Sequence, residues 1–133
     1  MKKSIIDTYT TIYFIDIVVA NKYVTLEELK ELYTYSDGTE LDEFVIKYNA
    51  TTCTCTRKSD NKSVVLIKYN DNSKLKNVNK KLDLINTIGH EATHAALCIY
   101  ENICQNVCFC SSEPFCYLQG YIAECVYKTL TKK

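Results

Sequence analysis

The stretch from Lys80 to Glu101, KKLDLINTIGHEATHAALCIYE, sets the tightest limit on what this chain can become. Leu84, Ile85, Ile88, Ala92, Ala95, Ala96 and Ile99 recur at the three-and-four spacing of one helix face, which predicts a helix from about 80 to 101. A stripe that wide must be covered by another layer. The cover lies upstream. Residues 50–57 and 63–69 are rich in β-branched side chains and flank the polar turn KSDNK, so they read as a hairpin. Residues 11–20 alternate like a first strand. Thr25-Leu26-Glu27-Glu28 is a capping box: the hydroxyl and the third-position carboxylate satisfy free amide donors and open a helix that runs to about Tyr35. Ser36-Asp37-Gly38 stops it. The segment 41–49 fits either a short helix or an irregular strand. Beyond the loop NDNSKLKN and the long helix come a cysteine-rich loop and a last helix from Glu113 to Leu130. Pro114 suits the first turn of that helix, and Ser112 or Glu113 would cap it. The expected fold class is α+β, a small sheet backed by helices in a single domain spanning 1–133.

At 133 residues and 47% hydrophobic, the chain has enough apolar material for one core. Sixteen basic and sixteen acidic residues cancel, so no global field gathers nucleic acid or an anionic membrane. The start, MKKSIIDTYTTIYFIDIVVANKY, imitates an export signal, but Asp7 and Asp16 interrupt the apolar run and no small-x-small cleavage site follows. No stretch reaches the roughly 20 apolar residues of a membrane span. A cytoplasmic location is therefore expected, with the eight cysteines reduced. Cys104, Cys108, Cys110 and Cys116 lack the paired C-x-x-C knuckles of structural zinc modules and read as small apolar side chains. Cys53 and Cys55 share one strand face, which by itself makes neither a bridge nor a ligand pair.

The chain's two histidines, His90 and His94, both sit on the long predicted helix, four residues apart, and Glu91 directly follows the first. At about 100° per residue the two imidazoles stand one above the other and can converge on one ion, while Glu91 lies beside them. Zinc accepts two such neutral nitrogens in a tetrahedral site, and a neighbouring carboxylate can take a proton from the metal-bound water. Chance delivers this spacing on the order of one time in a thousand in a chain of this composition. The histidines fall almost opposite the apolar stripe, so they are not core filler. Gly89 costs about 1 kcal/mol in a helix interior relative to Ala. Either close passage of another backbone or simple tolerance accounts for it.

A catalytic zinc takes three protein ligands and keeps one position open. The carboxylates in reach by sequence are Glu113, Glu101 on the same helix, and Glu124 further along the last helix. His90-Glu91-Ala92-Thr93-His94 followed eighteen residues later by Glu113 resembles the gluzincin metallopeptidases, and the gap is closest to that of their aminopeptidase branch. The segment from His90 to Glu124, with its EPFCYLQGY stretch, also resembles the very short metallopeptidases that phages encode. The likeness covers about the last third of the chain. It implies a minimal zincin-like fold, zinc as cofactor, His90, His94 and Glu113 as ligands, and Glu91 as general base. It further implies a peptide or protein substrate, and a site of action in a phage-infected cell or a virion. The substrate-amine motif Gly-x-Met-Glu-Asn of the aminopeptidases is absent, and Tyr117 stands where many gluzincins place an Asp.

The expected activity is peptide-bond hydrolysis by a zinc-activated water. Glu91 passes the water proton to the leaving amine, and Tyr117 is the candidate oxyanion donor. An exposed strand edge, with 63–69 as the candidate, would hold an extended peptide. The alternative is a non-catalytic binding or virion-associated structural protein that keeps zinc for folding.

Overall fold

The computed structural model describes residues 2–73 and 79–133. In chain order it contains β1 (Ile6–Tyr9), β2 (Asp16–Ala20), α1 (Leu26–Leu32), β3 (Tyr33–Tyr35), α2 (Phe44–Lys47), β4 (Ala50–Arg57), β5 (Ser63–Tyr69), α3 (Lys80–Asn102), a 3-10 turn (Phe109–Ser111) and α4 (Glu113–Leu130). The strands form one sheet in the order β1-β2-β5-β4-β3. Every neighbouring pair is antiparallel except β2 with β5, which is parallel. The fold is α+β, as the order of elements implied.

The sheet is covered on both faces, which explains the unbroken apolar runs of its central strands, Ile17–Ala20 and Val64–Ile67. On one face Ile17, Val19, Val65 and Ile67 pack against Ile88, Ala92, Ala95, Ala96 and Ile99 of α3 and Leu118, Ile122 and Val126 of α4. On the other, Val18, Ala20, Val64 and Leu66 meet Leu29 of α1, Leu41 and Val45. The alanines of α3 let that helix lie close to the strands. Ile85 departs from the expected stripe and stands exposed. Among the described residues, no helix is long and apolar enough to cross a membrane.

Several boundaries differ from the sequence expectation, each for a local reason. The strand expected over 11–20 begins only at Asp16; a separate strand, β1, precedes it, and residues 11–15 form a turn. There the Thr11 hydroxyl donates to the Ile15 carbonyl at 2.8 Å and accepts from the Tyr13 N–H at 3.2 Å, so a side chain takes the bonds a ladder would have used. Phe14 closes that turn at φ 61° with its ring in solvent. The capping box of α1 is present, with Thr25 N–H donating to Glu28 at 2.7 Å. That helix ends at Leu32 because Tyr33-Thr34-Tyr35 is claimed by pairing with Arg57-Thr56-Cys55. The open segment 41–49 resolves into the single turn α2. The β4–β5 hairpin forms as expected, its turn closed by Arg57 N–H to the Lys62 carbonyl at 2.8 Å. The loop NDNSKLKN falls partly outside the described residues, which resume at Asn79, the N-cap of α3. Pro114 occupies the first turn of α4, but Ser112 at the cap position makes no side-chain capping bond.

The pairing order corrects one expectation outright. β5 is flanked by β2 and β4 and cannot be a free edge.

Candidate active site

His90 and His94 project from the outward side of α3, where both are exposed. Their rings meet edge to face with centroids 4.7 Å apart, and the two Nε2 atoms are 3.1 Å from each other. Two nitrogens bound to one tetrahedral zinc at roughly 2.05 Å stand about 3.3 Å apart, so the pair is already spaced as two corners of such a site. Glu91 lies a third of a turn round the helix and faces the sheet, 6% exposed, with Oε1 3.9 Å from His90 Nε2.

The floor beneath Glu91 is β4. The Thr52 hydroxyl donates to Glu91 Oε2 at 2.5 Å and lies 3.4 Å from the Glu91 carbonyl. Strand alternation puts Thr52, Thr54 and Thr56 on the α3 face, while Thr51, Cys53 and Cys55 turn to the other side. Asn49 donates from its side-chain amide to Thr87 Oγ1 at 3.1 Å and ties the start of β4 to α3 one turn before His90. A cleft of about 520 Å³ opens here, lined by Tyr48, Asn49, Ala50, Thr87, His90 and Glu91 among others.

One side of this cleft is the edge of the sheet. The Asn49 carbonyl accepts from Asn70 N–H and Arg57 N–H donates to Lys62, so the odd-numbered residues of β4 direct their backbone groups toward β5. The even-numbered ones face outward. β3 pairs only with residues 55–57 and the Ser36 hydroxyl takes the Thr54 carbonyl at 2.9 Å. The outward N–H and C=O groups of Ala50 and Thr52 therefore have no ladder partner among the described residues. Ala50 lines the cleft at this edge, and two residues on, the Thr52 hydroxyl holds Glu91.

The remaining expected site residues lie elsewhere. Glu113 and Tyr117, at the start of α4, line a separate, largely apolar cavity of about 680 Å³ with Thr10, Ile12, Pro114 and Tyr121. Both side chains are exposed, Tyr117 at 76%. Glu124 is exposed and paired with Lys128 at 3.1 Å, and Glu101 is exposed near the end of α3. Among the described residues no three His, Cys, Asp or Glu side chains are grouped as a metal-holding set. The structure thus brings together His90, His94 and Glu91, and does not bring Glu113 or Tyr117 to them. The fit to a zinc ion is good for the two imidazoles and stops there.

Gly89, immediately before His90, does not admit a neighbouring backbone: a Cβ there would meet nothing within 4 Å. Thr52 was not legible as a site residue. Its alternation with Thr54 and Thr56 was visible, but which face of the strand meets the histidine helix was not.

Comparison with protein families, with curated proteins and with solved structures returns no match for this chain.

Proposed function

We propose that the protein is a zinc-dependent peptidase of minimal zincin-like design. The observation that carries this reading is the paired Nε2 atoms, 3.1 Å apart, beside a buried carboxylate oriented by a strand hydroxyl. His90 and His94 would hold the ion. Glu113 is the third ligand in this reading on the strength of the HExxH-x18-E resemblance, not of its position. A bound zinc would supply Lewis acidity, lowering the pKa of its water toward about 7 and polarising the scissile carbonyl.

The chain's own residues account for the rest. An extended peptide can add to the free edge at Ala50 and Thr52 through main-chain hydrogen bonds, which brings a backbone amide into the cleft. Glu91, low in that cleft, accepts the proton of the attacking water and returns it to the departing amine. The Thr52 hydroxyl fixes the carboxylate while leaving Oε1 toward His90. Tyr117 remains the proposed oxyanion donor because it stands one helical turn beyond Glu113. The substrate class is peptide or protein.

The test is metal content and peptide cleavage for wild type, His94→Ala, Glu91→Gln and Glu113→Gln. One equivalent of zinc, lost in His94→Ala, is expected. Glu91→Gln keeps the zinc and loses at least about a hundredfold in cleavage. Equal rates for wild type and Glu91→Gln at equal occupancy rule the mechanism out. The separation of Glu113 from the histidines favours a second reading, a zinc-stabilised binding or virion-associated structural protein. It predicts bound zinc, no turnover in wild type, and a domain that melts on chelation.

A further inference from the structure

The connection between α3 and α4 carries a pair of thiols that the peptidase reading does not use. Cys108 Sγ and Cys110 Sγ are 3.2 Å apart, and both residues are exposed. We propose that Cys108 and Cys110 form a thiol–disulfide exchange site whose substrates are small disulfides of the glutathione type.

Three features argue for it. The first is reach. Cys108 ends an extended segment at φ −122° and Cys110 lies inside the 3-10 turn. That turn advances about 2 Å per residue and so draws the two Cα atoms together, as a bridge requires. The second is activation. The Cys110 thiol, 3.2 Å from the Cys108 sulfur, is the foremost of the neighbouring groups that hold the Cys108 thiol below the ordinary range. Thiolate at Cys108 is the attacking form. The third is access: both residues are exposed to solvent.

The chain contains its own counterexample. Cys53 and Cys55 have the same spacing and an Sγ–Sγ distance of 3.5 Å, but they lie in β4 with Cys55 fully buried. Cys53 and burial together push the Cys55 thiol far above its usual range. An extended strand also spaces alternate Cα atoms about 6.6 Å apart, near the upper limit for a bridge. Equal sequence spacing thus gives one reactive pair and one inert pair.

The exchange balances in two steps. Cys108 thiolate attacks one sulfur of the disulfide RSSR, forming a Cys108–SR mixed disulfide and releasing RS⁻, which takes up the proton that Cys108 gave up. The Cys110 sulfur then attacks Cys108, expelling the second RS⁻, which leaves with the Cys110 proton. Two thiols are oxidised, one RSSR is reduced, and two RSH leave.

The test is incubation of the whole protein with glutathione disulfide, an acid quench, alkylation of the remaining thiols in denaturant, and peptide mass analysis. Wild type is expected to lose two hydrogens across Cys108–Cys110 without retaining glutathione, with Cys53 and Cys55 alkylated. Cys110→Ser is expected to trap glutathione on Cys108. Cys108, with Cys110 beside it, should carry glutathione ahead of Cys104 and Cys116, which have no such partner thiol among the described residues. Glutathione left on Cys108 in wild type, or spread evenly over Cys104, Cys108 and Cys116 in Cys110→Ser, overturns the proposal. Because both residues are exposed, neither outcome depends on a core substitution.

Discussion

Thr52→Val removes one hydroxyl and keeps the shape and strand preference of the side chain, so it isolates the bond to Glu91. In the folded protein Glu91 is 6% exposed and receives the Thr52 hydroxyl at 2.5 Å. A hydrogen bond to a charged group contributes about 1.5–3 kcal/mol, and a buried acceptor stripped of its donor costs toward the upper end of that range. With a urea m-value of about 1.5 kcal/mol per molar, a loss of about 2 kcal/mol lowers the unfolding midpoint by about 1.3 M. Thr52→Ser, which keeps the donor, should lose less than half as much. In the double variant Thr52→Val/Glu91→Gln the two losses should not add, because the partner of the missing group is itself changed. The assay is equilibrium urea unfolding followed by far-ultraviolet circular dichroism. A Thr52→Val midpoint equal to or above wild type would refute the claim that this hydroxyl satisfies a buried carboxylate. The experiment stands whether or not the protein cleaves peptides.

Three further outcomes follow from single residues. Gly89→Ala, where the new Cβ meets nothing within 4 Å, should raise stability by about 1 kcal/mol in the same unfolding assay; a loss would mean that Gly89 serves the backbone and not open space. Lys68 is 1% exposed, and burial pushes its pKa down to about 8 against the attraction of Glu28. The unfolded chain therefore binds more protons at Lys68 than the folded one between that value and its ordinary 10.5, so Lys68 contributes a rise in stability of about 3 kcal/mol across this interval, read as the difference between pH series on wild type and Lys68→Met. Phe14 holds φ 61° with its side chain 93% exposed, so Phe14→Asn should gain up to about 1 kcal/mol, read as a higher thermal midpoint.

Periodicity and local chemistry carried most of the architecture. The α3 stripe, the β4–β5 hairpin, the Thr25 capping box and the proline start of α4 are each set by residues close in sequence, and each appears where those residues put it. What failed to show was decided by long-range partners. Tyr33–Tyr35 continues a helical pattern until Arg57 pairs with it, and β5 resembles an edge until β2 arrives beside it. The site divides the same way. The histidine spacing is a property of one helix, and it meets the geometry of a metal pair. Thr52 and the bare edge of β4 depend on how a strand from residues 50–57 docks against that helix. Cys104, Cys108 and Cys110 of the α3–α4 connection and Cys116 at the start of α4 read as apolar filler by composition, yet all are exposed, because among the described residues no layer lies above them.

The parallel contact between β2 and β5 imposes an order on self-assembly. Asp16 through Ala20 find their partners at Val64 through Lys68, so everything between them, including α1, β3, α2 and β4, is enclosed by that one closure. Antiparallel neighbours joined by a short turn can associate early, but this seam must wait until the far strand has been synthesised and brought back. During translation the first ribbon therefore emerges with its apolar faces unshielded, and the two last helices, which cover β5 and β2 from one side, are among the last parts to gain a support.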